Sequence, residues 1–141
     1  GFYRGGYPDE QGLGYLKKIG VKTIIDLRGG KASVSRERRQ AEALGIKYIN
    51  IPFGFLYKPP ADPEIRKFLK ITTDPLNRPL FMHCQNGNDR TGAMAALYRI
   101  VVSGWQVENA YSEAKDFGFH PVWLKLRYFI LKDAKRFKKT V

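Results

Sequence analysis

The chain of 141 residues has a single cysteine, Cys84, and no long apolar run. One cysteine excludes an internal disulfide and argues strongly against a cysteine-rich zinc site. No apolar stretch approaches the roughly 20 residues that a membrane-spanning helix needs. Acidic residues are also scarce, with 13 Asp and Glu against 25 Lys and Arg, which gives a net charge of +12. Such a surface favours an anionic partner: a phosphate ester, RNA, or an acidic membrane contacted peripherally.

The first residues carry no secretory signal. Residues 1–11, GFYRGGYPDEQ, lack the basic segment and the apolar core of a signal peptide. The chain begins at Gly1 without Met. Two locations therefore stay open: the cytoplasm, or export after loss of an N-terminal segment. Hydrophobic residues make up 43% and charged residues 27%, which is typical of a soluble globular protein. These patterns indicate neither a compartment nor an oligomeric state.

Strand-like and helix-like segments alternate along the chain. Apolar runs rich in β-branched or aromatic residues predict strands at 21–27, 46–53 and 78–84. Helical spacing of apolar residues predicts helices at 12–20, 33–45, 63–72, 91–104, 106–118 and 121–137. This order predicts an α/β fold with a central, mostly parallel sheet flanked by helices. The length suits a single domain that spans residues 1–141.

The segment His83–Gly92, HCQNGNDRTG, joins the end of a predicted strand to the start of a predicted helix. Ligands of open α/β sheets bind beyond the carboxyl ends of the strands, which is where this loop would lie. Its backbone N–H groups can form a concave anion nest, and Arg90 can bind two phosphate oxygens. Gly87 permits a positive φ or a close approach of ligand to backbone. The residues expected to bind phosphate are Gln85, Asn86, Gly87, Asn88, Asp89 and Arg90.

Cys84 would lie at the floor of that nest. A helix N-terminus and a nearby guanidinium favour the thiolate, which is the nucleophilic form. We expect it to attack phosphorus and form a phosphocysteine, while Arg90 and the amides stabilise the transition state. Thr91 can donate a hydrogen bond to the sulfur and help it leave, and His83 can fix the loop. This chemistry requires neither a metal nor a cofactor.

The loop resembles the His-Cys-x5-Arg-Ser/Thr-Gly signature of cysteine-based protein tyrosine and dual-specificity phosphatases. Cys84, Gly87, Arg90, Thr91 and Gly92 fit that signature. Further stretches look like the small bacterial dual-specificity phosphatases, so that the resemblance covers nearly the whole chain: residues 2–28, 78–105 and 114–123. It implies a tyrosine-phosphatase-like fold and metal-independent hydrolysis of phosphate monoesters. An inositol phosphatase of the same superfamily would also fit.

Two aspartates are candidates for the acid that protonates the leaving oxygen. In the family an Asp on an upstream loop has this role, and Asp62 is the best positional match, although it also suits the N-cap of a helix that begins with Pro63. Asp89 is the second candidate, because GNDRTG resembles the phosphate loop of myotubularin-type phosphatases. Asp89 could equally orient neighbouring cations. Both assignments stay open.

Cations outside the loop suggest the substrate class. They are Lys31, Arg36, Arg38, Arg39, Lys58, Arg66 and Lys67. If several converge beside the loop, they would favour a polyanionic substrate such as an inositol polyphosphate or a phosphoinositide. Lys58, on the loop before the helix, is the most direct candidate for substrate binding. Arg28 could instead brace the loop through hydrogen bonds to backbone.

Other functions remain possible. A phosphoprotein could be the substrate, as in protein tyrosine and dual-specificity phosphatases. The loop also resembles that of capping-type RNA 5′-triphosphatases, and the positive charge suits RNA, but no aromatic stacking platform stands out. A fourth hypothesis is a non-catalytic module that keeps the phosphate cradle and lacks an effective acid. The aromatic stretch from Phe53 to Tyr57 could line the pocket or pack the loop onto the domain.

Overall fold

A computed structural model describes residues 1–141 around a four-stranded sheet in the order β1-β4-β2-β3. All three strand pairs are parallel. The strands are β1 (Phe2–Gly5), β2 (Thr23–Asp26), β3 (Lys47–Asn50) and β4 (Leu80–His83). The helices are α1 (Glu10–Lys18), α2 (Lys31–Ala43), α3 (Asp62–Thr73), α4 (Asp89–Val101), α5 (Val107–Asp116) and α6 (Leu124–Tyr128). The predicted α/β fold with a parallel sheet flanked by helices is confirmed.

The central strands β2 and β4 are buried over their whole length, as their apolar sequences predict. Successive side chains of a strand point to opposite faces, so each strand supplies both sides of the sheet. Ile25 and Met82 join a core of 23 residues on one face. Ile24 and Phe81 join a smaller core of nine residues that includes side chains of α1 and α2. Helix α4 packs into the larger core, and seven of its residues are buried, as its apolar sequence predicts.

The edge strand β1 is missing from the sequence prediction. Its four residues, FYRG, include an arginine and a glycine, and they show no apolar run. The strand forms because it pairs in parallel with β4, where Phe2 faces Leu80 and Gly5 faces His83. This pairing brings the N-terminal segment beside the loop that follows His83.

The carboxyl ends of the four strands lie in one row. In the register of the sheet, His83 faces both Gly5 and Asp26, and Asp26 faces Asn50. Residues that follow these four positions therefore meet at one edge, as expected for a ligand site in such a sheet.

Several local predictions are corrected. The helix α2 begins at Lys31, two residues before the predicted start at residue 33, and Gly30 is its N-cap. Asp62 is the first residue of α3 and Ala61 is its N-cap, so the predicted capping role of Asp62 is wrong. The predicted helix 121–137 is divided into α6, a π-helical turn at Phe129–Asp133 and a 3-10 segment at Ala134–Thr140. None of the helices has the length and apolar character to cross a membrane.

Candidate active site

The sulfur of Cys84 lies at the floor of the loop between β4 and α4, and the residue is 3% exposed. The backbone N–H of Gly87 donates to Sγ at 3.3 Å, and the Thr91 hydroxyl donates to it at 3.1 Å. Burial alone would raise the pKa of the thiol. The hydrogen bonds from Thr91 and Gly87, together with the charge of Arg90, outweigh burial and lower the pKa of Cys84. The arrangement therefore favours a thiolate.

The loop rests on β1 and the residues after it. Gly87 has φ +80°, and a Cβ on it would lie 2.6 Å from the carbonyl carbon of Gly5, so only glycine fits there. Arg4 donates to the carbonyl of Gly87 at 3.3 Å, and the backbone N–H of Tyr7 donates to the carbonyl of Gln85 at 3.0 Å. Residues 4–7, to which the sequence assigned no element, thus donate hydrogen bonds to two carbonyl groups of the loop.

The guanidinium of Arg90 is free of protein acceptors. Arg90 forms no ion pair or side-chain hydrogen bond, and its Nε is buried without a partner. Its Cζ lies 4.9 Å from the ring centroid of Tyr57, which in turn packs on Trp123 at 4.4 Å between ring centroids. The aromatic pair supports the guanidinium without neutralising it. Arg90 therefore keeps its donors for an external anion.

A buried ionic network lies behind the loop. Nδ1 of His83 lies 3.0 Å from the carbonyl oxygen of Cys84, which can only accept, so Nδ1 carries a proton and donates it. Nε2 lies 2.6 Å from Oε2 of Glu37, whose side chain on α2 is fully buried. Glu37 also accepts from Arg28 at 3.0 Å, and Arg28 pairs with Asp26 at 2.9 Å. These contacts fix the orientation of the ring next to Cys84.

The carboxyl group of Asp26 takes part in the same network. Its burial would raise its pKa, but hydrogen bonds from Arg28, the charge of His83 and the Tyr48 hydroxyl lower the pKa on balance. Donor atoms of Asp26, Glu37 and His83 lie within 4.8 Å of one another, a spacing that could hold a metal ion. The Arg28 guanidinium already binds both carboxylates, so we interpret the cluster as an ion-pair network.

The predicted contact of Arg28 with loop backbone is wrong. Its side chain donates only to Asp26 and Glu37, because two buried carboxylates attract it more strongly than neutral carbonyls do. Arg4 makes the backbone contact instead. The influence of Arg28 on the loop is indirect, through Glu37 and His83.

Asp62 forms an exposed ion pair with Arg136. Arg136 binds its carboxylate with two hydrogen bonds, at 2.6 and 2.7 Å. This pairing lowers the pKa of Asp62, so the carboxyl group is less readily protonated than a free one. Asp62 would have to leave Arg136 before it could act as an acid.

Asp89 lies at the start of α4, inside the loop. It accepts hydrogen bonds from the backbone N–H of His120 at 2.8 Å and lies 3.0 Å from the Nδ1 of the His120 ring. The Asp89 side chain is 13% exposed, whereas that of His120 is 59% exposed. The structure therefore joins Asp89 to a second titratable group that sequence reasoning did not consider.

Lys58 lines a different depression from the loop. Its neighbours in this groove of about 870 Å³ include Pro59, Asp62, Leu124 and Tyr128. None of residues 84–90 lines the groove. The lining of this groove therefore groups Lys58 with residues of α6 and not with the phosphate loop.

The sequence profile of a family described as "DSP-PTPase phosphatase fused to NAD+ Kinase" matches residues 1–125. The chain belongs to this phosphatase family. The match includes the whole Cys84–Arg90 loop, and it confirms the cysteine-dependent phosphatase class that the sequence predicted.

Three curated relatives extend the comparison. The probable NAD kinase 2 of rice is 33% identical over 72% of the chain, which spans 11% of that protein. The dual specificity protein phosphatase TpbA of Pseudomonas aeruginosa is 30% identical over 83% of the chain, which spans 51% of TpbA. Inositol diphosphatase DSP4 of Arabidopsis thaliana is 27% identical over 99% of the chain and 72% of its own length. The chain thus spans about half or less of the length of the first two relatives.

Solved structures confirm the predicted tyrosine-phosphatase-like fold. The core catalytic domain of the yeast phosphatase SIW14 superposes with a TM-score of 0.81 over 98% of this chain and 84% of that one, at 22% identity. A TpbA variant in complex with pTyr gives a TM-score of 0.77 over 98% and 83%, at 25% identity.

Sequence reasoning missed Arg4, Glu37 and His120. Arg4 lies on a strand that has no apolar run, and Glu37 lies among the cations of a helix that looks fully solvated. The sequence does carry one signal for Glu37. It occupies the same face of α2 as the buried residues Val34 and Ala41, which are three and four positions away.

Replacing Thr91 with valine removes one hydrogen bond to the sulfur. Such bonds to a charged group contribute about 1.5–3 kcal/mol, so we expect the midpoint for alkylation of Cys84 by iodoacetamide to move up by about one to two pH units. The rate measured against pH gives this midpoint, because only the thiolate reacts. Thr73→Val, on the surface of α3, is the control. An unchanged midpoint in Thr91→Val would show that the hydroxyl does not stabilise the thiolate.

Replacing Glu37 with glutamine removes the charge that pairs with both Arg28 and His83. Breaking a buried ion pair costs about 3–5 kcal/mol, and we expect a loss of this size in the free energy of unfolding, measured in urea. Glu42→Gln changes the same charge at an exposed position of the same helix and should cost no more than about 0.5 kcal/mol. Equal stability of the two variants would contradict the role of the network.

Proposed function

We propose that the protein hydrolyses phosphate monoesters in two steps through a phosphocysteine on Cys84. The observation that carries this proposal is the sulfur itself, buried at the floor of the loop with donated hydrogen bonds from Gly87 and Thr91 and a lowered pKa. A buried structural cysteine needs no such donors. The unpartnered guanidinium of Arg90, beside the same loop, supplies the matching anion contact.

In the first step the Cys84 thiolate attacks phosphorus, the P–S bond forms and the P–O bond to the leaving group breaks. Arg90 and the backbone N–H groups of Gln85, Asn86, Asn88 and Asp89 bind the three equatorial oxygens, where charge accumulates in the transition state, while the Gly87 N–H donates to the sulfur. In the second step water attacks phosphorus and the sulfur leaves. The Thr91 hydroxyl, 3.1 Å from Sγ, stabilises the thiolate that forms again.

Of the two candidate acids, Asp89 is the one we assign as proton donor. It lies in the loop and is not paired with an arginine, whereas Asp62 forms a bidentate pair with Arg136 that lowers its pKa. His120 lies against the Asp89 carboxyl group and can exchange a proton with it. The same pair would then activate water in the second step.

The substrate class we propose is an inositol polyphosphate or inositol diphosphate. Two features support this choice over a phosphoprotein: the net charge of +12 and the similarity to a relative named inositol diphosphatase. A phosphoprotein is the second candidate, because TpbA is named a dual specificity protein phosphatase. Phosphate release from inositol phosphates, phosphoinositides, phosphopeptides and triphosphorylated RNA would rank these classes.

Turnover of p-nitrophenyl phosphate tests the cysteine mechanism. We expect steady hydrolysis by the wild type in the presence of EDTA and a loss of at least about 10³-fold in Cys84→Ser, because a serine hydroxyl remains protonated at neutral pH. Acid quenching during turnover should trap a phosphorylated wild-type protein. If the wild type is as slow as Cys84→Ser, the catalytic mechanism is wrong and a phosphate-binding module is the better description.

Leaving-group dependence tests the acid. We expect Asp89→Asn to lose about 10²-fold or more on alkyl phosphates and much less on p-nitrophenyl phosphate, whose leaving group needs little protonation. Asp62→Asn is the matched control and should affect both ester types alike. A selective loss in Asp62→Asn instead would restore that residue as the acid, and His120→Gln would show whether the ring participates.

A further inference from the structure

A second basic depression opens at the carboxyl edge of the sheet, apart from the loop of Cys84. Its volume is about 450 Å³, and only one of its seven lining residues is hydrophobic. The lining includes three cations, two polar side chains and no acidic residue. They are Lys31, Arg38, Arg39, Ser35 and Asn50.

The three cations have no acidic partner. The ion pairs of the protein involve other arginines and the two histidines, and Lys31, Arg38 and Arg39 take part in none of them. The Arg38 guanidinium stacks over the ring of Tyr48 at 5.2 Å, which limits its motion without neutralising it. Three positive charges that converge on one concavity without a counter-charge create a local field that attracts anions.

The register of the sheet places this depression close to the phosphate loop. Asn50, which lines the depression, faces Asp26, and Asp26 faces His83, the residue before Cys84. Neighbouring strands are about 4.8 Å apart, so Asn50 lies roughly 10 Å from His83 along this row. The amide of Asn50 is fixed by two hydrogen bonds of 2.8 Å to the carbonyls of Asp26 and Arg28. Asn50 is therefore held in place in the same row of strand ends as His83.

We infer that this depression is a second phosphate subsite, which binds a phosphate group of a polyphosphorylated inositol while another phosphate of the same molecule lies over Cys84. The inference rests on the proposed function. In this inference Lys31 and Arg39 bind the second phosphate and so select for a substrate that carries one. A monoester such as a phosphotyrosine side chain has no second phosphate. Arg36, on the same helix, does not line the depression.

Binding to Cys84→Ser tests the subsite independently of turnover. Inositol hexakisphosphate and inorganic phosphate are titrated by calorimetry into this protein with and without the added pair Lys31→Gln and Arg39→Gln. Arg38 is left in place because it packs on Tyr48. We expect the double change to weaken the binding of inositol hexakisphosphate about tenfold or more, and the binding of inorganic phosphate by less than about twofold. Sedimentation with vesicles that contain a phosphatidylinositol bisphosphate distinguishes a lipid headgroup from the free inositol phosphate as the source.

The pair Lys18→Gln and Arg36→Gln is the matched control, because it removes the same charge from exposed positions outside the depression. An equal loss in this control would overturn the inference, since general electrostatic attraction would then explain the binding. Undiminished binding in the Lys31 and Arg39 double variant would overturn it as well. Failure of the wild type to hydrolyse p-nitrophenyl phosphate would refute the proposed function alone, and the calorimetric contrast would still decide the subsite.

Discussion

The sulfur of Cys84 can be both buried and ionised only if fixed donors replace water. Its charge is compensated by the Gly87 N–H, by Thr91 and by Arg90, and each of these depends on another part of the fold. Gly87 is in place because its backbone lies against Gly5, where a Cβ would clash. Thr91 is in place because α4 begins directly after the loop and packs into the larger core. The stabilisation of the Cys84 thiolate thus depends on strand β1, the phosphate loop and helix α4 together.

Behind the loop, a network of charged and polar side chains is buried in a small volume. Asp26 and Glu37 supply two carboxylates, Arg28 supplies one cation, and His83 connects the group to the carbonyl of Cys84. A buried carboxylate without partners would be costly, so each member of the network depends on the others. The network therefore fixes the position of the loop through His83, and it joins α2 to β2 and β4.

The predictions that held were those with a local cause. The His83–Gly92 motif predicted a strand, a loop and a helix, because apolar runs and glycine placement act within a few residues. Strand β1 was missed, because four mixed residues become a strand only through pairing with β4. The contact assigned to Arg28 was wrong, because Asp26 and Glu37 compete for its guanidinium. Lys58 lines the groove beside α6, because the loop before α3 turns towards that helix.

Residue types and short spacings were enough to predict the phosphatase family, the parallel sheet and a thiol at a strand end. Which side chains meet depends on the packing of the folded chain. This packing joined Arg136 to Asp62, His120 to Asp89, and Arg4 to Gly87, across separations of 74, 31 and 83 residues. Such pairs follow from packing of the whole chain, because the lowest free energy for a charged group depends on every partner within reach and not on its neighbours in sequence.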